Sequence, residues 1–190
     1  MSVTDAAAEI AAYLDDVAAP YVIIGGAAVQ YWGEPRTTRD VDIMVMVSPE
    51  RVDEFLKDAV LRFPPRISDA VEFAQENRVL LIRASDGTPL DVSIGLPGYE
   101  EEVIRRAVEV SFAGRPVRVA SAEDLIIHKC LAGRPRDMED VERVLVHQKL
   151  KLDLDYVRRW LSDFAPAVED HDVLSVFEQA VEKARAGLGS

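Results

Sequence analysis

The chain has 190 residues, 48% hydrophobic and 29% charged, the balance of one folded domain or one domain with a small appendage. No apolar run reaches the roughly 18 residues of a membrane span, and the opening MSVTDAAAEIAAYLDD is acidic where a secretory leader would be basic and then apolar; a cytoplasmic protein without membrane attachment is expected. A formal net charge of −12 argues against extensive wrapping of nucleic acid, although local basic pairs remain: Arg36 with Arg39, Arg105 with Arg106, Arg115 with Arg118, Arg134 with Arg136.

Residues 4–18 read as a helix, with Thr4 or Asp5 as its cap and Ala8, Ile10, Ala11, Leu14 and Val17 as its apolar stripe. Pro20 ends it. A short apolar run, Tyr21 to Ile24, then runs into Gly25-Gly26, a helical stretch from Ala27 to Trp32, and a turn at Gly33-Glu34-Pro35. The next apolar run carries Asp40 and Asp42, which share a strand face while Val41, Ile43 and Val45 face a core. Ser48-Pro49-Glu50 opens a helix to about Leu61, and Phe63-Pro64-Pro65 breaks it.

A short helix over Asp69 to Glu76 precedes two strands, Val79 to Ile82 and Leu90 to Ile94, joined by the turn signal Ser85-Asp86-Gly87-Thr88. Tyr99 to Val108 is expected as a helix, followed by a hairpin of Val110 to Phe112 and Pro116 to Val119. From Ser121 the pattern is helical: Ser121 to Leu131 closed by Gly133, Arg136 or Asp137 to His147, Asp153 to Phe164, and Asp172 to Arg185, with Gly187 to Ser190 as a loose tail.

Asp40 and Asp42 repel each other unless a cation neutralises them, and Mg²⁺ is the usual partner of hard oxygen ligands. Gly25-Gly26 lies where a strand feeds a helix N-terminus, a place suited to an anion. Neither a Walker A lysine nor the third glycine of a dinucleotide fingerprint follows. Each signal alone is weak: acids occur on exposed strands, and paired glycines occur in tight turns. Together, and with Asp91 on a later strand, they point to a metal–nucleotide site in which three carboxylates hold two ions across an in-line displacement. Asp91 would bind the second ion and serve as general base. Asp86 is its rival, but Asp-Gly is a common hairpin turn.

Cys130 is the single cysteine, which excludes a disulfide framework and a cysteine zinc site. His128, His147 and His171 lack metalloprotease spacing and read as surface or core residues.

The order of strand, Gly-Gly, helix and Asp-x-Asp resembles the DNA polymerase β-like nucleotidyltransferase superfamily. GGAAVQYWGEPRTTRDVDI and SAEDLIIHKCLAGRPRDMEDV are most similar to small prokaryotic nucleotidyltransferases that include toxins of type IV toxin–antitoxin systems. The likeness covers residues 20–146. It implies an α/β fold, a nucleotidyltransferase-type mixed sheet flanked by helices, with a core at 1–119 and a helical C-terminal segment at 120–190 packed on it. It also implies Mg²⁺-dependent transfer of a nucleoside monophosphate from an NTP to an acceptor hydroxyl, with loss of pyrophosphate. The toxin likeness implies a tRNA 3′ end as acceptor and an antitoxin protein as partner; a protein or a small hydroxylated molecule is the alternative acceptor. Many members carry Gly-Ser at the phosphate turn; here Gly26 is followed by Ala27, so no hydroxyl is expected and phosphate contacts fall to backbone N–H groups.

Lys129 shares a helix face with Leu125 and Ile126, so its stem should cover apolar surface while the ammonium reaches water; the resemblance instead takes it to the triphosphate. Asp137 and Asp140 are ordinary helix-start acids, and the resemblance makes Asp137 a candidate to orient Lys129 or the base. Arg36 and Arg39 are either solvated loop residues or phosphate and acceptor contacts. The competing class is a non-catalytic nucleotide- or partner-binding protein with the same fold.

Overall fold

The computed structural model describes residues 2–34 and 36–189; the expected turn at Gly33-Glu34-Pro35 therefore falls partly outside the described residues. The chain forms two compact units, Met1–Ala27 with Thr37–Ala120, and Ala28–Arg36 with Ser121–Ser190.

The first unit starts with helix α1, Val3–Asp16. Its cap is Ser2, in place of Thr4 or Asp5: the Ser2 hydroxyl accepts from the Asp5 amide while the Asp5 carboxylate accepts from the Ser2 amide. Strand β1, Tyr21–Ile24, passes directly into helix α2, Gly25–Trp32, whose last five residues belong to the second unit. Strand β2 is Val41–Val45, so Asp40 stands one residue before the strand that it was expected to share. A short turn of 3-10 helix at Pro49–Arg51 leads into α3, Val52–Arg62, and α4 covers Ala70–Asn77. Strands β3, Val79–Arg83, and β4, Pro89–Ile94, come next.

Helix α5 covers only Tyr99–Arg105, because Val108 already belongs to strand β5, Val108–Phe112, which pairs with β6, Arg115–Val119. The β-branched, alternating run VEVSF favours the sheet once a partner strand follows.

The strands form one six-stranded mixed sheet in the order β3-β4-β2-β1-β6-β5. β1 runs antiparallel to β2 and parallel to β6, while β2 and β4 are parallel. The central strands bury Val22, Ile23, Val41, Ile43, Val45, Leu90 and Val92, and α1 contributes Ala6, Ala7, Ile10, Ala11 and Leu14 to this core. Burying Ile23 or Ile43 stabilises by about 2 kcal/mol each. The uninterrupted apolar character of β1 is what a strand buried on both faces requires, and in β2 Asp42 alone breaks that run.

In the second unit, α6 is Ala122–Ala132, α7 Pro135–His147, α8 Leu154–Phe164 and α9 Val173–Leu188. α6 is capped by Ser121 and closed by Gly133 in the left-handed conformation. α7 begins at Pro135 rather than at Arg136 or Asp137, since proline suits the first helical position. Phe177, Val181, Val144, Leu145, Ile126, Val157 and Leu161 fill the core of this unit.

Among the described residues, no helix is long and apolar enough to cross a membrane.

Candidate active site

The carboxylate face is built by register. Ile24 on β1 lies opposite Asp42 on β2, Asp42 opposite Asp91 on β4, and Asp91 opposite Leu81 on β3. These four residues form one row across the sheet, all of them half-buried. Partnered residues on adjacent strands project to the same face, about 5 Å apart, so Asp42 and Asp91 are neighbouring carboxylates.

Gly25 is required beneath this row. Its φ of +61° is left-handed, and a Cβ there would stand 1.9 Å from Asp42 Oδ2 and 2.7 Å from its Cγ. Any other residue would be strained and would displace the carboxylate. Gly26 has a parallel role: a Cβ on it would lie 2.5 Å from Thr38 Oγ1. Thr38 in turn donates to Asp40 Oδ1 at 2.8 Å. The turn itself carries no hydroxyl, as expected from its residues. Thr38 places one against Gly26, from a loop position that carried no sequence signal. As the first residues of α2, Gly25 and Gly26 carry N–H groups that have no acceptor within the helix, which makes this corner receptive to an anion.

Arg66, which sequence reasoning passed over, completes the face. Its guanidinium donates to Asp91 Oδ1. Its backbone is fixed as well, since the Arg66 amide donates to the Leu81 carbonyl at 2.9 Å, Pro65 bridges to Ile82, and the Arg83 amide donates to the Pro64 carbonyl at 2.9 Å. The Phe63-Pro64-Pro65 break therefore continues as a stub of extra edge strand beside β3. Arg39 is exposed and Asp86 accepts from the Thr88 amide inside its turn at 2.9 Å, away from the row. Hydrogen bonding to Thr88 holds the Asp86 carboxyl below the usual carboxylate range, as an ordinary turn aspartate.

For a divalent cation the relevant observation is the donor set. Asp42 and Asp91 supply adjacent hard oxygen ligands, and a cationic guanidinium already stands on one of them, so the chemistry fits. Asp40 is held by Thr38, and among the described residues no group of three or more His, Cys, Asp or Glu side chains is gathered closely enough to hold a metal.

The second unit contains the other candidates. Lys129 on α6 is buried, its Nζ 2.6 Å from Asp137 Oδ1 and 3.0 Å from Asp140 Oδ2. Its ammonium does not reach water as the amphipathic reading had it. Arg36 clamps Asp140 with two bonds, Nε to Oδ1 at 2.6 Å and Nη2 to Oδ2 at 2.7 Å. Arg134 holds Asp137 Oδ2 at 2.5 Å. Asp140, fully buried, is more than a helix-start acid: with Asp137 it ties α6 to α7 and to the segment after α2. Burial alone would push its carboxyl up, and the hydrogen bonds from Arg36 and Lys129 outweigh that and hold it below the usual range.

A family model described as "Nucleotidyltransferase of unknown function (DUF6036)" matches residues 1–184. The chain belongs to this nucleotidyltransferase family. Curated proteins yield no match. Among solved structures, the antibiotic-resistance factor ANT(2″)-Ia in solution is similar at 21% identity and TM-score 0.61, over 88% of this chain and 95% of that one. An antigenic nucleotidyltransferase-like protein from Paracoccidioides brasiliensis is similar at 18% identity and TM-score 0.57, over 93% and 92%. The crystal structure of ANT(2″)-Ia in complex with adenylyl-2″-tobramycin is similar at 21% identity and TM-score 0.55, over 85% and 95%. These likenesses show the fold, a nucleotidyltransferase mixed sheet with C-terminal helices. The family and the fold make the chain a nucleotidyl-transfer enzyme.

Proposed function

We propose that this nucleotidyltransferase moves a nucleoside monophosphate from an NTP to an acceptor hydroxyl, with Mg²⁺ as cofactor and pyrophosphate as product. The observation that carries the reading is the Gly25–Asp42–Asp91 arrangement, an anion-receptive helix start pressed against Asp42, which stands in register with Asp91. The backbone N–H groups at Gly25 and Gly26 receive the phosphates, and Thr38 offers its hydroxyl beside them. Asp42 and Asp91, with Asp40 two residues before Asp42, would hold the metal. Bound Mg²⁺ would neutralise the triphosphate and lower the pKa of the attacking hydroxyl. Asp91 takes the proton from that hydroxyl as general base. Arg39 is assigned to the phosphates or the acceptor. For Lys129, Asp137 and Arg36, the buried pairs support a positioning role within their own unit in place of direct phosphate contact.

The acceptor proposed is a tRNA 3′ end, as in a toxin paired with an antitoxin protein in the cytoplasm. It rests on the resemblance carried by GGAAVQYWGEPRTTRDVDI and SAEDLIIHKCLAGRPRDMEDV. A second reading, a small hydroxylated acceptor, is favoured by the fold neighbour that carries adenylyl-2″-tobramycin. The test is incubation with each α-labelled NTP, Mg²⁺ and tRNA, protein or small-molecule acceptors across a salt series. Transfer to tRNA with a shallow slope of about two to four released counterions supports an RNA end gripped locally. Label on small molecules alone removes the RNA and toxin reading, and no transfer to any acceptor removes the reaction class.

A further inference from the structure

Asp42 and Asp91 are register partners, and like charges directly opposite each other on neighbouring strands repel. The described structure answers that repulsion with Arg66. The guanidinium reaches over Leu81, to whose carbonyl the Arg66 amide is bonded, and ends on Asp91 Oδ1. Its main chain is anchored to β3 by its own amide and by the Pro64 carbonyl two residues before it, so the side chain is aimed at the row by the sheet itself. A surface ion pair formed by chance has no such anchoring. The pair is partly screened, with 25% of the Arg66 side chain and 31% of the Asp91 side chain exposed; it is therefore weak enough to be displaced by a divalent cation.

We propose that Arg66 is a positioning residue that occupies the cation place at Asp91 and competes with metal for it, keeping bare divalent ions off the carboxylate row until nucleotide brings one in. The inference rests on the metal–nucleotide reading of that row. An Arg at this point satisfies the carboxylate without a metal, and its planar fork can pass to a phosphate oxygen when Asp91 turns to the ion.

The test is Mn²⁺ binding to the full chain without nucleotide, followed by the electron paramagnetic resonance signal of free Mn²⁺, with far-ultraviolet circular dichroism as the fold control. Arg66→Gln should tighten Mn²⁺ binding by about fivefold, the scale of a partly exposed ion pair. Arg66→Lys, which keeps the charge, should stay near the parent, and the gain should vanish in Arg66→Gln/Asp91→Asn. A merely structural pair would lower the melting temperature in Arg66→Gln and leave Mn²⁺ affinity unchanged. Binding that needs Asp42 yet is unchanged or weakened by Arg66→Gln, or a gain that survives loss of Asp91, overturns the role of Arg66 alone. If no variant binds Mn²⁺ in a manner that Asp42→Asn abolishes, the metal reading fails and this inference fails with it.

Discussion

Gly25→Ala separates conformational strain from the close approach that builds the carboxylate row. Placing alanine at φ +61° costs about 1–2 kcal/mol on backbone grounds alone. The new methyl would also lie 1.9 Å from Asp42 Oδ2, and repacking of that kind adds about 1–3 kcal/mol. The total expected is about 3 kcal/mol. Gly87 supplies an internal reference, since its φ is +87° and nothing lies within 4 Å of a Cβ there. Gly87→Ala should therefore cost about 1 kcal/mol, the strain alone. Urea denaturation of both variants, repeated in an Asp42→Ala background, forms a double-mutant cycle. Removing the Asp42 carboxylate should restore at least about 1 kcal/mol to Gly25→Ala and nothing to Gly87→Ala. Equal costs for the two glycines, or no coupling between Gly25 and Asp42, would refute the packing argument.

Asp140→Ala removes the carboxylate that Arg36 clamps and that Lys129 shares with Asp137, so urea titration should show a loss of about 3 kcal/mol, the low end for a broken buried pair. Because the folded Asp140 carboxyl titrates below its ordinary 3.8, its contribution is present above that pH and lost as pH falls through the folded value; acid unfolding of the parent should lose this component in Asp140→Ala. Burial pushes the His128 imidazole down to about 4 from 6.5, against the pull of Asp124. The unfolded chain then takes the proton first, so stability should fall as pH drops from about 6.5 to 4, and His128→Gln should flatten that slope. Gly26→Ser should cost about 1–3 kcal/mol by running into Thr38, and Gly26→Ser/Thr38→Ala should recover most of it in the same denaturation assay.

The row of Asp42 and Asp91 was legible because strand periodicity and the glycine pair before Asp42 are local signals. Gly25-Gly26 marked the turn, and alternation in PLDVSI set Asp91 apart from Leu90 and Val92. Parallel pairing of β2 with β4 supplies the rest, and only the fold fixes that register. Arg66 was hidden because it follows Pro64-Pro65, which reads as a break, whereas the segment adds to the sheet edge through bonds to residues 15 and more positions away. Thr38 lay in a loop with no periodicity, and its proximity to Gly26 depends on how that loop returns. Lys129 and Asp140 misled in the opposite direction. Helical spacing placed Lys129 on an apolar face and Asp140 near a helix start, but the burial of both is a property of α6 and α7 packed together, for which neither helix alone carries a signal.

The central claim is that the Gly25–Asp42–Asp91 corner binds a metal-complexed nucleoside triphosphate. Calorimetric titration of an NTP with a non-cleavable α,β-bridge, with and without Mg²⁺, into the parent and Asp42→Asn tests it most directly. The account predicts binding that requires Mg²⁺ in the parent and loses that requirement, together with most of its affinity, in Asp42→Asn. Equal affinity in both proteins, or binding that is the same with and without Mg²⁺, would contradict it.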